Sequence, residues 1–99
     1  MREFRILTPT ELKTAYDTVF REAFPPQELK PLAAIEKMRE LGEYEPCALF
    51  EDGLPLGYIC LWKNGRYVLI DYLCVPKNIR CGGIGRDTMK AALASRQDD

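Results

Sequence analysis

At 99 residues the chain is long enough for one domain and too short for two, and with 46% apolar and 29% charged residues its composition excludes a disordered chain. Its 14 basic and 15 acidic side chains nearly cancel, so no global field steers it onto nucleic acid or an anionic membrane, and any anion site has to be local. No charged leader with an apolar run opens the sequence, and no apolar stretch approaches the roughly 20 residues of a spanning helix, which sets the expectation of a cytoplasmic protein.

Phe4 and Ile6 alternate within Glu3 to Leu7, the pattern of a short strand. A helix follows at once: Thr8 as N-cap, Pro9 at the first helical position and Glu11 three residues after the cap form a capping box. Leu12, Ala15, Tyr16, Val19, Phe20, Ala23 and Phe24 recur at steps of three and four, giving one apolar stripe for the core. Pro25 and Pro26 end that helix, and a second is expected from about Pro31 to Gly42 with Leu32, Ile35 and Met38 inward.

From Tyr44 the pattern changes to three β-type runs, Tyr44 to Phe50, Leu56 to Trp62 and Tyr67 to Val75. Asp52-Gly53 and Asn64-Gly65 separate them as hairpin turns, so an antiparallel meander is expected. The third run is apolar on both faces except at Asp71, which predicts a central strand. A glycine-rich turn, Arg80 to Gly85, then opens a third helix with Met89, Ala92 and Leu93 inward, and nothing in the sequence repeats.

The four cysteines, Cys47, Cys60, Cys74 and Cys81, include no CxxC pair, and the sequence has no histidine. Zinc ligation and Cys/His or Ser/His nucleophilic catalysis are therefore not expected, and the cysteines read as buried reduced thiols.

Chemistry concentrates in Leu73-Cys74-Val75-Pro76-Lys77-Asn78-Ile79-Arg80-Cys81-Gly82-Gly83-Ile84-Gly85, a strand end, a loop and a helix start. Glycines let the main chain approach a ligand, and the first amides of the helix, at the positive end of its dipole, point at one spot. An anion, above all a phosphate, is the ligand these features favour. A Walker A loop would need Lys and Ser or Thr after the second glycine, where Arg86 and Asp87 stand. The dinucleotide fingerprint would need a third glycine or alanine, where Thr88 stands, and a βαβ unit in place of a meander.

The spacing Arg80-x-x-Gly83-x-Gly85 fits Arg/Gln-x-x-Gly-x-Gly/Ala and resembles the pyrophosphate motif of the GNAT superfamily of N-acetyltransferases. Leu73-Cys74-Val75, the five-residue step from Val75 to Arg80, the strand-helix-helix-three-strand prelude and Phe24-Pro25-Pro26-Gln27-Glu28 with Pro31 are similar to that family too. Two departures stand out. Cys81 occupies a position where the family often has glycine, and family domains continue for several elements past the end of this sequence.

The resemblance implies an α/β chain of the α+β type, a GNAT-like mixed sheet with element order β-α-α-β-β-β-α, lying in one incomplete domain over residues 1–99. It implies acetyl-CoA as cosubstrate, no metal, and direct attack of a primary amine on the thioester. Because an alkyl ammonium has a pKa of about 10.4, deprotonation is an essential step. Leu73, Cys74 and Val75 would offer backbone groups to the pantetheine arm, and Arg80, Cys81, Gly82, Gly83, Ile84 and Gly85 would surround the pyrophosphate, with Lys77 and Arg86 at the flanks.

Asp71 is the candidate acid/base or water-positioning residue; the alternative is a carboxylate at a sheet edge or paired with a cation such as Arg66. Tyr72 is expected to be a packed aromatic with a hydrogen-bonded hydroxyl, and Glu28 is a candidate substrate contact. The alternative function is a non-catalytic CoA-binding or interaction module, or an inactive remnant. Neither nucleic acid nor membrane is an expected partner; self-association, or pairing with a C-terminal fragment through an unpaired strand edge, is.

Overall fold

Residues 1–79 and 82–96 are described by the computed structural model, and within them four strands form one sheet. β1 (Arg2–Ile6), β2 (Tyr44–Glu51), β3 (Leu54–Asn64) and β4 (Tyr67–Cys74) lie in the order β1-β2-β3-β4, each antiparallel to its neighbour. The α+β class and the element order are those expected; the mixed pairing of a whole GNAT-like sheet is not found among these four strands. No helix of the described residues is long and apolar enough to cross a membrane.

The capping box forms as read: the Glu11 amide donates to Thr8 Oγ1 at 3.1 Å and the Thr8 amide to Glu11 Oε1 at 2.8 Å. Helix α1 starts there as an α-helix over Pro9–Ala15, widens to a π-helical stretch over Tyr16–Phe20 and closes over Arg21–Ala23. Phe24, which precedes Pro25, leaves the helix with extended geometry, because the proline ring disfavours a helical residue before it. Helix α2 (Leu32–Glu40) ends in a Schellman motif in which the Glu43 amide donates to the Met38 carbonyl and the Gly42 amide to that of Arg39.

α1 and α2 cover one face of the sheet, where Leu7, Leu12, Phe20, Ile35, Tyr44 and Tyr58 are buried together; each such side chain contributes about 1.5–3 kcal/mol. Helix α3 (Ile84–Ala94) covers the other face, with Ala92 packed among Cys47, Ile59 and Leu61. It sits so close to β3 that a Cβ on Gly57 would lie 2.2 Å from Thr88 Oγ1.

β4 corrects two expectations. It is the outer strand of the described sheet, not a central one, and Tyr67, Val68, Leu69 and Ile70 are exposed. A strand apolar on both faces signals cover on both faces, and over its first half the described chain supplies it only in part, with Val68 and Ile70 beside α3. The missing alternation has a second cause, a β-bulge: Leu61 pairs with Ile70 and Cys60 with Tyr72, leaving Asp71 as the extra residue.

Candidate functional site

β4 delivers Leu73 and Cys74 to its C-terminal end, Leu73 against the α3 side and Cys74 buried on the α1 side. Lys77–Ile79 forms one 3-10 turn. Arg80 and Cys81 lie outside the described residues. Gly82 and Gly83 then take φ of +69° and +76°, left-handed values that L side chains rarely adopt, so the chain turns sharply into α3.

Gly83 is the N-cap of α3 and, lacking a side chain, supplies no cap; the first intrahelical bond is from the Asp87 amide to the Gly83 carbonyl at 3.0 Å. The amides of Ile84, Gly85 and Arg86 thus precede the helical ladder and face the turn, with the positive end of the helix dipole behind them. A Cβ on Gly83 would lie 3.1 Å from Arg86 Nη2, so the Arg86 guanidinium folds back over the turn. A Cβ on Gly85 would meet Val75 Cγ2 at 3.9 Å, which places the first turn of α3 on the end of β4. Of the loop residues that the structure describes, Gly85 thus lies against Val75, next to the Gly82-Gly83 turn. These features fit a phosphate: a left-handed glycine turn, helix-start amides with no side-chain cap from Gly83, and an adjacent guanidinium. Of the flanking cations, Lys77 instead faces Glu22 at 3.8 Å.

The second cluster lies on the α1/α2 face, where the bulge turns Asp71 inward beside Tyr72. Asp71 Oδ2 accepts from Lys30 Nζ at 2.8 Å and from the Tyr44 hydroxyl at 2.5 Å. The carboxylate is paired with a cation, as the alternative had it, but the cation is Lys30 and not Arg66. Burial first, then nearby Cys60 and the Asp71 hydrogen bond, push the Tyr44 phenol well above its ordinary value, so it stays a donor.

Tyr72 is the packed aromatic expected, and its hydroxyl donates to the Glu28 carbonyl at 2.9 Å and accepts from the Lys30 amide at 2.8 Å. The Tyr16 hydroxyl donates to the Lys30 carbonyl at 2.7 Å. Glu28 is thus tied to this cluster through its backbone. Lys30 had no signal in the sequence: a lone lysine after Leu29 reads as a solvated loop residue, and only the bulge and the folded-back loop bring it to Asp71.

Cys47, Cys60 and Cys74 are buried. Burial raises the Cys47 thiol to about 12 and raises Cys60 further still, so neither is a thiolate near neutrality. Among the described residues no group of three or more Cys, Asp or Glu side chains could hold a metal.

No match is found among curated proteins. Solved structures do match. A GNAT-family protein from Bacteroides thetaiotaomicron superposes with a TM-score of 0.78 at 21% identity, over 96% of this chain and 56% of that one. The ribosomal-protein-S18-alanine N-acetyltransferase from Escherichia coli gives 0.73 at 18% identity, over 96% and 59%. A GNAT acetyltransferase from Brucella melitensis, solved in complex with acetyl-CoA, gives 0.69 at 18%, over 96% and 68%. The chain thus spans little more than half the length of the first two, and at these identities the likeness is one of fold. A family model settles the ancestry: that of the acetyltransferase (GNAT) family matches residues 10–97, nearly the whole chain, including the glycine turn and α3. By that match and by its fold, the chain belongs to the GNAT family of acetyltransferases.

Proposed function

We propose that this chain is the acetyl-CoA-binding portion of an N-acetyltransferase that acetylates a primary amine, one incomplete domain of a cytoplasmic enzyme. The observation that carries this reading is the left-handed Gly82-Gly83 turn, which sets the first turn of α3 at the end of β4 with no side-chain cap from Gly83. Buried thiols suit a reducing compartment.

Bound acetyl-CoA supplies the acetyl thioester. Of the chain's own groups, the amides of Ile84 to Arg86 and the Arg86 guanidinium would hold the pyrophosphate, and the backbone of Leu73 to Val75 would align the pantetheine arm; the further loop positions Arg80 and Cys81 lie outside the described residues. Asp71, held by the Tyr44 hydroxyl, accepts the ammonium proton directly or through a water. Calorimetry with CoA tests the loop. Binding is expected to weaken at high salt and to be lost in Gly83→Val, whose side chain meets both a left-handed φ and the Arg86 guanidinium. Binding indifferent to both would remove the loop from the site.

A second reading, a non-catalytic module acting through contact with another chain, is favoured by the exposed apolar outer strand, where Tyr67 is 69% and Ile70 46% exposed. Acetyl transfer by the isolated chain would exclude it.

A further inference from the structure

The surroundings of Lys30 are more elaborate than a surface ion pair requires. Its ammonium lies 2.8 Å from Asp71 Oδ2 and 5.3 Å and 5.5 Å from the ring centroids of Trp62 and Tyr72. A carboxylate beside two aromatic rings attracts an organic ammonium both by charge and through the ring faces. Each part has been placed with some effort. Asp71 reaches the box at the bulge, and the Tyr44 hydroxyl, bonded to the same Oδ2 as Lys30, fixes the carboxylate.

The lysine is held differently at its two ends. Its amide and carbonyl are pinned by the hydroxyls of Tyr72 and Tyr16, so the loop stays where it is whatever the side chain does. The side chain is 30% exposed, against 18% for Asp71, and has four rotatable bonds by which to leave the box for water. Departure would free a half-buried carboxylate beside two rings without unfolding anything.

We propose that this box is an alkylammonium-binding site, that Lys30 fills it as a tethered stand-in, and that the external ligand is a primary amine on an unbranched methylene chain, which displaces the Lys30 side chain. The inference rests on the acetyl-transfer reading for its biological meaning, naming the amine class, but not for its physical content. Since the tethered ammonium competes at a high effective concentration, the free chain binds such an amine weakly, and removal of the tether strengthens binding.

Trp62 is the sole tryptophan, so its fluorescence reports on the box. n-Butylammonium chloride is titrated into the chain, Lys30→Ala and Lys30→Ala/Asp71→Asn, against sodium chloride at equal ionic strength. Saturable binding about tenfold tighter or more in Lys30→Ala than in the unaltered chain, and lost in the double variant, is expected. A rise in melting temperature of Lys30→Ala with n-butylammonium is expected alongside it. Equal responses from the chain and Lys30→Ala, a response matched by sodium chloride, or a Lys30→Ala chain that fails to fold and is not rescued by n-butylammonium would each overturn the proposal. CoA calorimetry on the same samples separates the two readings. CoA binding without an amine response keeps acetyl transfer and removes the box; an amine response without CoA binding does the reverse.

Discussion

Gly57 shows how one missing side chain sets the distance between α3 and the sheet. A methyl group there would lie 2.2 Å from Thr88 Oγ1 and 3.3 Å from Ile84 Cγ2, so Gly57→Ala has to push the helix outward. A loss of about 1–3 kcal/mol in thermal or urea unfolding is expected, as for other overpacked sites. Because the nearest obstruction is the Thr88 hydroxyl, the double variant Gly57→Ala/Thr88→Ala should lose less than the sum of the single changes. Glu11 gives a prediction in pH. The Arg5 guanidinium, and then the Thr8 amide, lower its carboxyl from 4.5 to about 2. A depressed folded value means that the carboxylate's contribution is present above about 4.5 and is lost as pH falls through about 2. The acid limb of stability should therefore flatten between these values in Glu11→Gln, read from urea midpoints at successive pH; with Glu11 34% exposed, solvent keeps the effect modest.

At the level of elements, the first helix and its cap were legible because local chemistry fixes them. Thr8, Pro9 and Glu11 satisfy one another within a single turn, and the apolar stripe from Leu12 to Phe20 is buried as its spacing demands. The π-helical stretch was not legible, since no residue type marks it. The second hairpin turn lies one residue later than the Asn64-Gly65 pair predicts. Asn64 and Tyr67 pair as the last residues of their strands, so the turn is Gly65-Arg66, and Gly65 has φ of +65°. That is the Gly-X pattern of a II′ turn, not the Asn-Gly pattern of a I′ turn such as Asp52-Gly53 supplies, where both residues have positive φ. Gly65→Ala should accordingly cost about 1–2 kcal/mol although open space surrounds it, while Asn64→Ala should be nearly neutral in the same unfolding assay. For the candidate site, the left-handed turn at Gly82 and Gly83 was legible from the glycines themselves, whereas the Lys30–Asp71 pair joins residues 41 apart and no local pattern encodes it.

For the molecule as a whole, the outer strand is the main liability. Val68 and Ile70 line a shallow apolar recess with Met89, Ala92 and Leu93, beside the outer strand of the described sheet. The isolated chain is expected to associate and to transfer acetyl groups poorly. Size-exclusion chromatography should show a species larger than 11.3 kDa, and Ile70→Lys should shift it toward that mass. A monomer that turns over amines at about 1 per second or faster would contradict both expectations.

The bulge at Asp71 acts as a change of parity. Before it, even-numbered Val68 and Ile70 face α3; after it, even-numbered Tyr72 and Cys74 face α1 and α2. Striking out residue 71 would therefore restore a regular strand without moving a single apolar neighbour to the wrong face, whereas striking out Leu73 would turn Cys74 around. The carboxylate behaves as an inserted letter between two words that remain spelled correctly without it. Deletion of this one residue would keep the apolar alternation of β4 and cost the buried Tyr44 hydroxyl its acceptor.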